Sequence, residues 1–175
     1  MTSLSEINVL VVDDNRQTLQ LLRCMLRAGG ISRVIEVESA QDALTVMHAK
    51  PIDLVLLDWQ MRPIDGLELT RMLRRNVDSP APFVPILMLT AHTEASRVTL
   101  ARNAGVNGFI KKPISTQLLF DRVAGALTDT RMFVRSVNFV GPDRRRGAKT
   151  TYTGPFRRES DQGDVIDLDD LRICA

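Results

Sequence analysis

Five polar side chains stand at the ends of apolar runs, and their types suit one kind of chemistry. Asp13 and Asp14 follow the run at 7–12 (INVLVV), Asp58 follows Leu54-Val55-Leu56-Leu57, Thr90 follows the run at 84–89, and Lys112 follows the run at 108–111. Apolar runs of this length, rich in β-branched residues and leucine, read as strands buried on both faces. A carboxylate at the carboxyl end of such a strand lies at the mouth of an open α/β sheet, where ligands gather. Three carboxylates meeting there repel one another unless a cation sits among them. Oxygen donors in this number suit a hard ion, and Mg²⁺ takes a few carboxylates and completes its shell with water or phosphate oxygens. Thr90 brings a hydroxyl donor, and Lys112 a point positive charge suited to phosphate. Together they read as a phosphoryl-transfer site with Asp58 as nucleophile. Two plainer readings stand beside this one: Asp58 as a loop or helix cap, and Thr90 as the N-cap of the following helix.

The rest of the pattern supplies the elements that must hold these groups. After Asp13-Asp14-Asn15, Leu19, Leu22 and Leu26 mark one helical face, closed by Gly29-Gly30. The stretch 31–37 alternates as a second strand, and Ser39 caps a helix over Ala40–Ala49 with Ala43, Leu44 and Met47 inward. Pro51 precedes the third strand. A third helix covers 65–76 on Leu67, Leu69, Met72 and Leu73, and Asp78-Ser79-Pro80-Ala81-Pro82 links it to the fourth strand at 84–89. An amphipathic fourth helix at 94–104 stops at Gly105. A fifth strand at 108–111 and a last helix at 115–127 follow. Strands and helices in alternation give βαβ units with right-handed crossovers. The fold class expected is α/β: a flavodoxin-like, doubly wound five-stranded parallel sheet of order 2-1-3-4-5, with helices on both faces. Its switch point lies between the first and third strands, where Asp13, Asp14 and Asp58 emerge.

The chain has 175 residues, 44% hydrophobic and 25% charged, which fits a soluble domain of residues 1–128 and an extension over 129–175. No apolar run approaches the roughly 18–20 residues of a membrane span. The first residues lack the basic start and small-residue cleavage site of a secretory signal, so a cytoplasmic protein is expected. Cys24 and Cys174 read as one core thiol and one tail thiol, and His48 and His92 form no cluster that would hold zinc. Charge is segregated: residues 1–127 carry 14 Lys/Arg against 13 Asp/Glu, 128–158 carry eight against two, and 159–175 carry one against six.

VLVVDDN, LVLLDWQMRPIDGLEL, ILMLTA and GFIKKPI, each at its expected strand end, resemble a two-component response regulator receiver domain of the chemotaxis type, over about residues 5–127. The resemblance implies that Asp58 is the phosphoacceptor. It implies that Asp14 binds Mg²⁺ directly, Asp13 through a metal-bound water, and Gln60 through its backbone carbonyl. Thr90 and Lys112 would bind the phosphoryl group, and Phe109 matches the aromatic switch position, with ordinary core as its other reading. Lys112-Pro113 matches the family's usual cis peptide. A histidine kinase or phosphotransfer protein is the implied donor, and a downstream protein would read the face of the fourth helix, fifth strand and fifth helix. Gln60 and His92, two residues beyond Asp58 and Thr90, would tune hydrolysis of the acyl phosphate, and Lys111 reads as solvated. The sequence departs from the family at Arg62, which moves Pro63 one position later. A rival of another class, a haloacid-dehalogenase-type phosphatase, needs a second acid two residues after the nucleophile, where this chain has Gln60.

Beyond Leu127, NFVGPDRRR (138–146) and TYTGPFRRE (151–159) share an aromatic-x-Gly-Pro-x-Arg-Arg pattern offset by 13 residues. Gly-Pro precludes a continuous helix there. The stretch 132–140 reads as a strand or as packing on the receiver. Three readings of the extension are open: a flexible polyampholyte, a docking motif for a protein partner, and a nucleic-acid contact in which the Arg runs bind phosphates and Phe139 and Tyr152 stack. The acidic end counts against the last, so nucleic acid is not the expected partner.

Overall fold

The computed structural model describes residues 4–91, 94–136 and 139–143, and a strand at 164–166. After a short 3-10 turn, the elements are β1 (Asn8–Val12), α1 (Arg16–Ala28), β2 (Arg33–Val37), α2 (Ala40–Ala49), β3 (Leu54–Asp58), α3 (Gly66–Arg75), β4 (Ile86–Thr90), α4 (Ala95–Ala104), β5 (Gly108–Lys111) and α5 (Thr116–Leu127). All pairings among β1–β5 are parallel, in the order β2-β1-β3-β4-β5. This is the doubly wound plan expected from the alternation of runs.

The apolar runs are continuous because both faces of the sheet are covered. Leu10, Val12, Val55, Leu57, Ile86 and Met88 face α2, α3 and α4. The residues between them, Val9, Val11, Leu54, Leu56, Leu87 and Leu89, face α1 and α5. Ser39 caps α2 as expected, and three other helices are capped in the same way. Asn15 accepts from the N–H groups of Gln17 and Thr18, Ser39 from Asp42, Asp65 from Glu68 and Ser115 from Leu118. Gly105 ends α4 at φ +101°, a left-handed conformation natural to glycine.

Two expectations need correction. Cys24 lies on the solvent side of α1 and is exposed, so it is not a core thiol; the inward stripe is Leu19, Leu22 and Leu26. The fourth helix is not strongly amphipathic, because its buried residues are only Ala101 and Ala104, while Leu100 is exposed.

The beginning of the extension packs on the domain. β6 (Phe133–Arg135) pairs antiparallel with β7 (Val140–Pro142) on one side and β8 (Asp164–Ile166) on the other. Phe133, Val134, Phe139 and Val140 are buried. Of the two readings of 132–140, strand and packing on the domain, both hold for parts of it. The second Gly-Pro repeat, the Arg runs at 144–146 and 157–158, and Cys174 lie outside the described residues.

Arg74, on the last turn of α3, organises this junction. It is almost wholly buried, and its guanidinium donates from Nε to the Gly105 carbonyl (3.1 Å), from Nη1 to that of Pro82 (2.8 Å), and from Nη2 to that of Val84 (2.7 Å) and to Asn107 Oδ1 (3.1 Å). The Phe133 ring covers it at 5.2 Å and stacks edge-on with Phe83. Burial lowers its pKa to about 9, which leaves it charged at neutral pH. Asn107 also accepts from the Ile86 N–H, and its carbonyl takes a bond from Arg131, which is itself forked onto Asp129.

Candidate functional site

The backbone ladder delivers the site residues to one mouth. Asp58 ends β3 opposite Leu89, and Thr90 opposes Lys111, so Thr90 and Lys112 each lie one step beyond a paired position. The ladder runs on past the strand ends: Asp13 N–H donates to Val37, Trp59 N–H to Leu89, and Lys112 N–H to the Thr90 carbonyl. Asp58 is therefore held in place by the backbone ladder to β4.

Side-chain carboxylate oxygens of Asp13, Asp14 and Asp58 lie within 4.8 Å of one another, Asp13 and Asp58 buried and Asp14 exposed. Lys112 Nζ donates to Asp58 Oδ1 at 2.6 Å and to Asp13 Oδ2 at 2.9 Å. The Gln60 N–H donates to Asp58 Oδ2 at 2.8 Å, and the Asn15 N–H to Asp13 Oδ1 at 2.9 Å. Burial pushes the Asp58 carboxyl above its ordinary value; the hydrogen bond and charge of Lys112 oppose this, and Asp13 adds to it. Burial pulls Lys112 down, but bonds to Asp58 and Asp13 outweigh it and hold the ammonium above its usual range.

Three carboxylates against one ammonium leave two negative charges uncompensated in a partly buried cleft. Hard oxygen donors at that spacing fit a small divalent cation such as Mg²⁺, with Asp14 on the solvent side able to take it in first. Removing Lys112 would leave those charges bare. Lys112→Met is expected to cost about 1–3 kcal/mol in the absence of metal. Millimolar Mg²⁺ should recover more stability in this variant than in the unaltered chain, as read by urea denaturation with and without the ion.

Gly66 shapes the same loop from below. Its N–H donates to the Trp59 carbonyl at 3.0 Å, and a Cβ there would run into the Asp58 carbonyl oxygen. Gly66→Ala must push the α3 start and the Asp58 loop apart, a strain of about 1–3 kcal/mol. A lowered denaturation midpoint with weakened Mg²⁺ binding is the expected pair of results.

The structure brings together Asp13, Asp14, Asp58 and Lys112, and Thr90 ends the neighbouring strand β4, its carbonyl bonded to the Lys112 N–H. Thr90 is buried, and Phe109 is half-buried against the α2–α4 side of the core. Gln60 and Lys111 are exposed. His92 lies outside the described residues. The peptide bonds before Pro113 and before Pro63 are both cis, the second at the point where Arg62 displaces the proline. One contact the sequence reading missed is Arg97 of α4, whose guanidinium lies 5.8 Å from the centre of the Trp59 ring. A lone basic residue on a helix carries no mark of such stacking.

Comparison with known proteins agrees with the geometry. A family model described as response regulator receiver domain matches residues 9–124, ending before β6. The chemotaxis protein CheY of Pseudomonas aeruginosa is 30% identical over 117 residues, which cover 67% of this chain and 93% of that protein. Among solved structures, the chemotaxis protein CheY4 of Vibrio cholerae is similar with a TM-score of 0.64 at 26% identity, covering 69% of this chain and 98% of the other. The receiver domain of a sensor histidine kinase from Pseudomonas aeruginosa has a magnesium ion coordinated in its active-site cleft. It is similar at a TM-score of 0.63 and 26% identity, covering 70% and 98% of the two chains.

Proposed function

Because the chain belongs to the response regulator receiver family, we propose that it is a phosphorelay response regulator whose Asp58 accepts a phosphoryl group from a histidine kinase or a phosphotransfer protein. The observation that carries this reading is the buried Asp58 carboxylate, held 2.6 Å from Lys112 Nζ beside two further aspartates at the mouth of the sheet.

A carboxylate oxygen of Asp58 attacks the phosphorus as the bond to the donor breaks, forming an acyl phosphate. Lys112, already on Asp58 Oδ1, follows the charge onto the phosphoryl oxygens, and the Thr90 hydroxyl on the next strand donates to another. Asp13, Asp14, Asp58 and the Gln60 carbonyl would hold Mg²⁺, which would supply charge neutralisation there. Asp13 and Asp14 keep that site preformed, and the backbone N–H of Gln60 orients Asp58. Phe109 stands on β5 and moves with Thr90 when the new charge draws the hydroxyl. The face of α4, β5 and α5 then changes shape and is read by a downstream protein.

The chain acts on its own carboxylate and has no further substrate. A phosphatase of the haloacid-dehalogenase type would need an acid two residues after the nucleophile, where the exposed Gln60 stands. Among the described residues no helix is long and apolar enough to cross a membrane, and a cytoplasmic place beside a kinase's transmitter suits the role. The test is incubation with a small phosphodonor such as acetyl phosphate. One phosphoryl group should be gained with Mg²⁺ and none with chelator, and gain of label independent of metal would sink the reading.

A further inference from the structure

At the pole of the domain opposite the carboxylates, α4 is held more by its last residue than by its sides. Ala101 and Ala104 bury little apolar area, and the N-cap residue Glu94 makes no side-chain capping bond. The C-terminal end is different. Gly105 gives its carbonyl to Arg74, and the Val140 carbonyl oxygen fills the space where a Gly105 side chain would stand. A Cβ on Gly141 would lie 2.7 Å from the Gly105 Cα. β7 therefore rests backbone to backbone on the end of α4, and the guanidinium that holds Gly105 is the one that Phe133 of β6 covers. Seating the extension and seating α4 are one event.

The other end of α4 is tied to the carboxylate site. Thr90 ends β4 and α4 starts at Ala95, so the connection is four residues long. A shift of the Thr90 hydroxyl toward a phosphoryl group on Asp58 passes along so short a link into the first turn of the helix. The helix has few side contacts to absorb it, and at its far end the Gly105 and Gly141 backbones are set directly against each other. In the arrangement described, Lys112 is bonded directly to the unmodified Asp58.

Resting on the phosphoacceptor reading above, we propose that residues 129–142 are an intrachain regulatory partner of α4: docked through Phe133, Val140 and Gly141, they favour the arrangement of unmodified Asp58, and phosphorylation favours their release. Reciprocity then requires that undocking the extension strengthen binding of a phosphoryl group or its mimic by the same factor.

The test uses the full chain with beryllofluoride and Mg²⁺ as the phosphoryl mimic. In the unaltered chain, amide hydrogen exchange over 133–135 and 140–141 is expected to speed up about fivefold or more when the mimic binds. Gly141→Ala, whose methyl meets Gly105 Cα and the Phe139 ring, should free the strand without touching the site and bind the mimic about fivefold or more tighter by calorimetry. Phe133→Leu, milder for folding, should move affinity the same way to a smaller degree. Exchange that does not respond to the mimic overturns the proposal, as does affinity unchanged or weakened in a variant whose extension exchanges freely. A wild-type chain that takes up neither mimic nor phosphoryl label would instead remove the phosphoacceptor reading, and this proposal with it.

Discussion

Asp58→Asn is expected to lose all labelling by a small phosphodonor while unfolding at a midpoint equal to or above that of the unaltered chain. The first half follows from chemistry: an amide is no nucleophile toward phosphorus at neutral pH, and the carboxylate that Lys112 Nζ approaches at 2.6 Å and the Gln60 N–H orients is gone. The second half follows from linkage. The folded chain holds the Asp58 proton more tightly than the unfolded chain does, chiefly because burial penalises the charge. Stability contributed by this group is thus fully present below its ordinary value and is lost as pH rises through the raised folded value. At neutral pH the ionised carboxylate is a net cost that asparagine removes. Two further outcomes follow for the unaltered chain: metal-free stability rises on mild acidification through the Asp58 titration, and labelling falls over the same interval. Loss of label together with collapse of the fold would contradict the assignment of that cost, and persistence of label would contradict the assignment of Asp58.

Arg74→Leu should be the most destabilising single change at the opposite pole, by about 3–5 kcal/mol in urea or thermal denaturation. Replacing a buried ion pair by an apolar side chain is often neutral, because both charges disappear. Here the partners are the carbonyls of Pro82, Val84 and Gly105 and the amide of Asn107, and these stay behind. Three orphaned backbone acceptors at about 1 kcal/mol or more each, added to the lost ring contact with Phe133, exceed what is gained by removing a desolvated charge. Arg74→Lys keeps the charge but offers one point donor where four directions are needed, so it should fall between the two. A loss under 1 kcal/mol for the leucine variant would show that water replaces the guanidinium.

Much of the candidate site could be read from the sequence because its residues follow the strands directly. An apolar run buried on both faces has few alternatives, and the residue after it must emerge at the mouth of the sheet; Asp13, Asp58 and Thr90 are placed by that rule alone. Lys112 is placed by the same rule one strand further on, although its bonds to both Asp13 and Asp58 depend on the crossover order bringing β1 and β5 to either side of β3 and β4. What pattern could not supply was contact between elements distant in sequence. Arg74 sits among Arg71 and Arg75 on a helix and reads like them, yet it is buried because the loop before β4 and the turn after α4 both aim carbonyls at it. The extension was hard to read for a related reason. Its strands are three residues long, too short for alternation to register, and they pack on Arg74, Phe83 and the Gly105 end of α4. Cys24 and α4 depart from the pattern because apolar or small residues on a short helix fit several inward faces equally well.

Trp59 is the only tryptophan in the chain. It is pinned by its backbone to Leu89 and Gly66, buried in the core one residue after Asp58, and faced by the Arg97 guanidinium at 5.8 Å. Indole emission responds to nearby charge, so this ring is an optical gauge built into the chain. It faces the cation on the first turn of α4, and its backbone follows Asp58 directly. Its fluorescence is expected to change on addition of Mg²⁺ and of a phosphoryl mimic in unlabelled protein, and Arg97→Ala is expected to remove the part of that change that comes from α4.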